Sequence, residues 1–226
     1  MDTIVQVALD SPSLTDALRL ADAAVSAGCD WLEAGTPFIQ AEGMHGIRAL
    51  RARFPDIPII ADLKTMDGGF IESVMAAEAG ATHVVVMARA HVSTIRAAVR
   101  AGRDHGFQVL GDNLGCQDHV AAVRMLEDEG CDVVIHHIGL DEREAAVAAT
   151  GNRLSTLDQL RQVAAAVSVP VGAVGGLTVA EAVQTPQYGA AIVILATPLT
   201  VRSDDFSVID DDVEKTIREV CRQVHG

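Results

Sequence analysis

Asp62-Leu63-Lys64-Thr65-Met66-Asp67 gathers two carboxylates and an ammonium within six residues, directly after the apolar run Ile57-Pro58-Ile59-Ile60-Ala61 and before Gly68-Gly69. The apolar run reads as a buried strand, and period-two alternation puts Asp62 and Lys64 on one face of it. Charges at a strand's carboxyl end are expensive to bury unless they pair or bind something. The hexapeptide is therefore better explained as a reaction site than as scaffolding, with a structural ion pair capping a strand as the bland alternative.

Such residues need a framework that brings strand ends together. The chain repeats one unit: a short β-branched run, a loop, then an amphipathic helical stretch. Strands are expected at 4–9, 31–34, 58–63, 83–87, 108–111, 133–137, 169–174 and 191–195. Helices are expected at 14–27, 44–54, 70–79, 94–105, 118–129, 156–167, 179–185 and 211–223. Gly28, Gly80, Gly106 and Gly130 fall just past helical stretches, where a left-handed C-cap favours glycine. Ser13, Ser155 and Thr178 are candidate N-caps. Strict alternation implies a parallel sheet covered by helices, and eight units in 226 residues match a closed (β/α)8 TIM barrel of the α/β class. An open doubly wound sheet is the alternative, but no Gly-rich dinucleotide fingerprint follows the first strand. No Pro-, Gly- or Ser-rich linker divides the chain, so residues 1–226 are expected to form one domain. The acidic stretch 204–212 reads as a solvated loop leading into the last helix.

In a barrel of this kind, chemistry belongs at the carboxyl ends of the strands. The polar residues there are Asp10, Glu33, Asp62 with Lys64, Asp112-Asn113 and His136-His137, followed by Gly175-Gly176 and Thr197. Glu33 and Asp62, from adjacent strands, can jointly bind a hard divalent cation, and oxygen ligands with room for water favour magnesium over zinc. Lys64 among carboxylates keeps its proton, and a strand-end histidine can move one near neutral pH. His137 shares a face with Val133 and Ile135 and is assigned to the pocket, whereas His136 is assigned to packing against helices. His83, His105 and His119 are read as surface or core residues. Asp10 and Asp112 can alternatively cap loops. A metal, a lysine and a histidine around a small polar pocket suit chemistry through an enediolate: carbon–carbon bond making or breaking next to a carbonyl, or isomerisation.

Composition restricts the alternatives. With 49% hydrophobic residues and 3% aromatics the chain can build a full core, and its longest apolar runs are strand-sized, so no membrane-spanning helix is expected. Met1-Asp2-Thr3 lacks the basic start of a signal peptide, which gives cytoplasmic residence as the expectation. A net charge of −14 without a basic cluster argues against nucleic-acid partners but not against a small anionic substrate. Cys29, Cys116, Cys131 and Cys221 form no C-x-x-C pair, which argues against structural zinc and a disulfide framework.

The segments Ala8-Leu9-Asp10, Glu33-Ala34-Gly35-Thr36-Pro37, Ala61 to Asp67 and His137-Ile138-Gly139-Leu140-Asp141 resemble the 3-hexulose-6-phosphate synthases. These belong to the orotidine 5′-monophosphate decarboxylase suprafamily, marked by D-x-K-x-x-D. The resemblance runs from the first strand through the seventh. It implies a (β/α)8 barrel, a magnesium ion held by Glu33 and Asp62, and an enediolate made from ribulose 5-phosphate that attacks formaldehyde. It further implies catalytic roles for Asp62, Lys64, Asp67 and His137, and sugar contacts from Asp10 and Asp112. It also implies a homodimer in which Asp67 reaches the neighbour's pocket. Gly175, Gly176 and Thr197 fall where substrate phosphate is bound. The synthases and the related 3-keto-L-gulonate 6-phosphate decarboxylases normally place Gly-Gly or Gly-Arg at the end of strand eight. Here Ala196 and Thr197 stand there, followed by Pro198, which has no N–H to donate.

Two other functions compete. A decarboxylase of the 3-keto-L-gulonate 6-phosphate type uses the same motif, but would resemble H-R-S-R-D after strand six, with arginine in place of Leu140, and tends to carry Glu in place of Asp112. A non-catalytic ligand-binding barrel would leave the charged motif without a reason.

Overall fold

The computed structural model describes residues 3–209 and 212–226. Eight parallel strands close into one barrel in sequence order, β1 pairing with both β2 and β8. They are β1 (Ile4–Leu9), β2 (Trp31–Ala34), β3 (Ile59–Thr65), β4 (His83–Met87), β5 (Gln108–Asp112), β6 (Val133–His137), β7 (Val171–Val174) and β8 (Ile192–Leu195). The helices are α1 (Leu14–Ala27), α2 (Thr36–Arg53), α3 (Gly69–Ala79), α4 (Val92–His105), α5 (His119–Asp128), α6 (Leu140–Thr150), α7 (Leu157–Ala164), α8 (Val179–Gln184) and α9 (Val213–His225). A 3₁₀ turn, Thr185–Tyr188, follows α8. The TIM-barrel expectation holds.

Two apolar layers explain the strand patterns. Ile60, Val85, Leu110, Val133, Ile135, Val174, Ile192 and Ile194 fill the barrel. Their strand neighbours, among them Val5, Val7, Leu9, Val84 and Val86, face outward and pack with helix residues such as Leu20, Ile47, Ile95, Leu126 and Ile217. Strands buried on both faces read as continuous β-branched runs, which is why they were legible. Gly28, Gly80 and Gly106 are left-handed helix C-caps with φ of 96°, 113° and 78°. Ser13 and Thr178 accept N-terminal N–H groups as expected, Thr178 within a capping box. The N-cap of α7 is Thr156 rather than Ser155, although Ser155 Oγ accepts from Leu157 N at 3.3 Å.

Four local departures shape the site. Strand β3 runs through Lys64 to Thr65 instead of ending at Leu63. Ala61 pairs with Val84 but Thr65 with Val86, so four steps of β3 are matched by two of β4. In this bulge Lys64 takes φ 47°, a left-handed conformation uncommon outside glycine. Lys64 thus meets Asp62 through a bulge, not through plain alternation. Helix α2 begins at Thr36, eight residues before the expected start at 44, with Pro37 in its first turn and a non-helical break at Gly43. Helix α6 occupies a stretch where no element was expected, and none of its residues is buried. Finally, the loop after β8 folds back through an antiparallel bridge between Val201 and Val208. The expected start of the last helix at 211 lies outside the described residues, within which α9 begins at Val213. Among the described residues no helix is long and apolar enough to cross a membrane.

Candidate active site at the carboxyl ends of the strands

On five of the strands an inward-facing position is followed two residues later by a polar one: Ala8 by Asp10, Trp31 by Glu33, Ile60 by Asp62, Leu110 by Asp112, and Ile135 by His137. The pleat therefore delivers these side chains above the apolar fill. They line one cavity of about 250 Å³ whose floor includes Val85, Ile135, Val174 and Ile194. Lys64, Gly175, Gly176 and Thr197 line the same cavity, which thus gathers every expected site residue except Asp67.

Lys64 Nζ is ion-paired with Asp62 Oδ2. Thr36 Oγ1, at the start of α2, donates to the same carboxylate oxygen at 2.8 Å. Gln6 Nε2 donates to Glu33 Oε2 from inside the barrel. On the other side, His137 Nδ1 lies 2.8 Å from Asp112 Oδ2, and Leu114 N donates to Asp112 Oδ1 at 2.7 Å. Asn113 Oδ1 accepts the His137 backbone N–H at 2.9 Å. His136 points away: it is fully buried, edge-on to His119 with ring centroids 4.9 Å apart.

The charges are strongly coupled. Burial pushes the Asp10 carboxyl up to about 6, the Asp62 carboxylate pushes the same way, and Lys64 and His137 oppose them. Glu33 is held well above the usual carboxylate range by burial and by Asp62 and Asp10. At Asp112 burial acts upward, but His137, Lys64 and the Leu114 N–H outweigh it and hold the group low. For Lys64 burial acts downward and is outweighed by Asp62, Asp112 and Glu33, so the ammonium persists. Burial, His119 and His137 depress His136 to about 4, leaving it neutral.

The carboxylate side suits a cation. Asp62 Oδ1 is buried without a hydrogen-bond partner, and the raised values of Asp10 and Glu33 show negative charge that a cation would relieve. Among the described residues no group of three or more His, Cys, Asp or Glu could hold a metal ion. Glu33 and Asp62 would therefore supply two ligands at most, leaving water or substrate oxygens to complete the shell, as magnesium prefers.

Asp67 is the exception among the expected site residues. It is exposed and lies along a different groove, with Gly68, Phe70, Ile71, Ser93 and Arg100. Lys64 pairs with Asp62, so one chain does not bring Asp67 into the cavity. The sequence reading also missed Gln6, Arg143 and Phe206. Gln6 carried a usable signal, an amide on the inward face of β1. Arg143 sits in the unanticipated α6, and Phe206 reaches the cavity only because the loop after β8 folds back.

A parallel barrel with an Asp–His pair, a lysine and a carboxylate cluster at one mouth defines an enzyme of the (β/α)8 class. Comparison with known proteins narrows this. The profile described as the orotidine 5′-phosphate decarboxylase / HUMPS family matches residues 3–208. A 3-hexulose-6-phosphate synthase of Mycobacterium gastri is 35% identical over 190 residues, 84% of this chain and 88% of the relative. A Salmonella typhimurium crystal structure of 3-hexulose-6-phosphate synthase superposes with a TM-score of 0.84 at 30% identity, covering 100% of both chains. A 3-keto-L-gulonate-6-phosphate decarboxylase of Vibrio cholerae superposes with a TM-score of 0.81 at 28% identity, covering 99% of this chain and 98% of that one. The chain belongs to the orotidine 5′-phosphate decarboxylase / HUMPS family. It is an enzyme of the carbon–carbon lyase class, similar to 3-hexulose-6-phosphate synthases.

Proposed function

We propose that the protein is a magnesium-dependent aldolase that joins formaldehyde to C1 of D-ribulose 5-phosphate, giving D-arabino-3-hexulose 6-phosphate. The observation that carries this reading is the His137–Asp112 pair sharing one cavity with the Lys64–Asp62 pair. Magnesium held by Glu33 and Asp62 would supply Lewis-acid stabilisation of the enediolate. Asp112, ionised and fixed by Leu114 N–H, accepts from His137 Nδ1–H and leaves the Nε2 lone pair as the base. His137 removes a C1 proton from the ketose. The electron pair passes to the C2 oxygen, where the persistent Lys64 ammonium stabilises the developing charge. C1 of the enediolate then bonds to the formaldehyde carbon, and the formaldehyde oxygen takes the proton back from His137. Asp10 binds the sugar hydroxyls, and Gly175, Gly176 and Thr197 receive its phosphate end.

The face around Asp67 supports a homodimer. Met66, Ile71 and Met75 are 52%, 64% and 46% exposed beside it, and an apolar cluster of this kind is accounted for by contact with a second copy. In the dimer Asp67 would extend from this face into the neighbouring cavity.

Incubation with magnesium, ribulose 5-phosphate and formaldehyde should consume formaldehyde and yield a six-carbon ketose phosphate. Carbon dioxide release from a 3-keto sugar acid phosphate, with no formaldehyde consumed, would replace the aldolase by the decarboxylase. Leu140 puts an apolar side chain in the cavity where that decarboxylase would resemble an arginine, which favours the aldolase.

A further inference from the structure

We propose that Arg143 is a specificity-determining residue that grips the anionic end of the substrate, taking over donors absent from strand eight. This rests on the reading of the substrate as a phosphorylated ketose.

Four observations point to it. Arg143 lines the cavity from the first turn of α6, on the side of Gly175, Gly176 and Thr197. A Cβ placed on Gly176 would lie 1.7 Å from Arg143 Nη1, so the guanidinium occupies space that only glycine leaves open. Gly175 and Gly176 have φ of 136° and 60°, a backbone that L side chains rarely adopt. The pair thus permits a close approach of a cation to the main chain. Third, Arg143 Nε is buried with no hydrogen-bond partner. A buried guanidinium donor left unpaired costs free energy, and an oxyanion is the natural acceptor for its planar fork.

Fourth, the charges around Arg143 separate it from the chemistry. Burial and Arg153 push its ionisation down, and Glu144, rather than a carboxylate of the Asp10, Glu33, Asp62 and Asp112 cluster, opposes them. Arg153 does not compete for the ligand: it donates to Gly176 O at 2.7 Å and is ion-paired with Glu181. It fixes the glycine turn and adds positive field. The cavity therefore has two poles, a carboxylate pole that suits a cation and a guanidinium pole that suits an anion. Just past β8, Pro198 has no N–H and Thr197 offers its hydroxyl and one backbone N–H, so a phosphate seated here gains from a donor supplied elsewhere. Arg143 is that donor.

Calorimetric titration with ribulose 5-phosphate and with unphosphorylated ribulose, in the presence of magnesium, tests the assignment on the wild type, Arg143→Leu and Arg143→Lys. Arg143→Leu should weaken ribulose 5-phosphate by about ten- to a hundredfold, the size of a lost charge-assisted contact, and leave ribulose unchanged. Arg143→Lys should recover part of the loss, because a point charge replaces a fork. Inorganic phosphate should compete with the sugar phosphate in the wild type and not in Arg143→Leu. Equal affinities of wild type and Arg143→Leu for ribulose 5-phosphate would overturn the proposal, as would an equal loss for both sugars, which marks a structural role. Formaldehyde consumption separates the two readings. Turnover of ribulose 5-phosphate with an unaltered KM in Arg143→Leu removes the grip and leaves the aldolase. A selective loss of phosphate affinity in a protein that consumes no formaldehyde removes the aldolase and leaves the grip.

Discussion

At the scale of single residues, opposite environments divide the work among similar carboxyl groups. Asp112 is ionised because His137, Lys64 and a backbone N–H outweigh its burial, and an ionised partner fixes the tautomer of His137. Asp112→Asn keeps the shape but loses that bias, so kcat should fall by about a thousandfold or more while circular dichroism stays unchanged. Asp10 shows the contrary balance. Its carboxyl is raised from 3.8 to about 6, so the folded state holds a proton that the unfolded chain has released between these values. Stability must therefore fall as pH rises through that window. Relative to Asp10→Asn, the metal-free wild type should lose up to about 3 kcal/mol between pH 4 and pH 7, measured by urea denaturation, the loss that accompanies a carboxyl raised this far. Magnesium should narrow the gap, because a cation favours the ionised cluster.

At the scale of elements, periodicity revealed what buries an apolar face and was silent where none is buried. The strands and helices such as α4 and α9 were legible because their apolar residues recur with the period of the packing. No residue of helix α6 is fully buried, so its sequence carries no apolar stripe, and Arg143 was hidden with it. Asp62, Glu33, Asp112 and His137 were legible because a strand end two residues past an inward apolar position must face the mouth. The bulge that turns Lys64 was not, since only the pairing with β4 reveals it. The break in α2 concealed the first half of that helix. Gly43 there has φ 59° and ψ −152°, with open space where a Cβ would go. Gly43→Ala should therefore destabilise by about 1–3 kcal/mol through backbone strain alone, seen as a lower urea midpoint with an unchanged slope.

At the scale of the whole molecule, the barrel makes one face chemical and leaves another apolar. The exposed Met66 and Ile71 beside Asp67 are the basis for the proposed dimer, in which each partner would complete the other's cavity. Ile71→Asp, exposed and free to be solvated, should shift sedimentation velocity from dimer to monomer and lower kcat by about a hundredfold, without lowering the melting temperature of the chain to the same degree as a core substitution. In the proposed reaction His137, held by Asp112, moves the C1 proton of a ketose phosphate in a cavity charged by Asp62, Lys64 and Glu33. Proton NMR of ribulose 5-phosphate in deuterium oxide, with magnesium and without formaldehyde, measures this directly. The wild type should wash deuterium into C1, and His137→Gln should do so at no more than about one hundredth of that rate. Exchange persisting undiminished in His137→Gln, or absent from the wild type, would contradict the account.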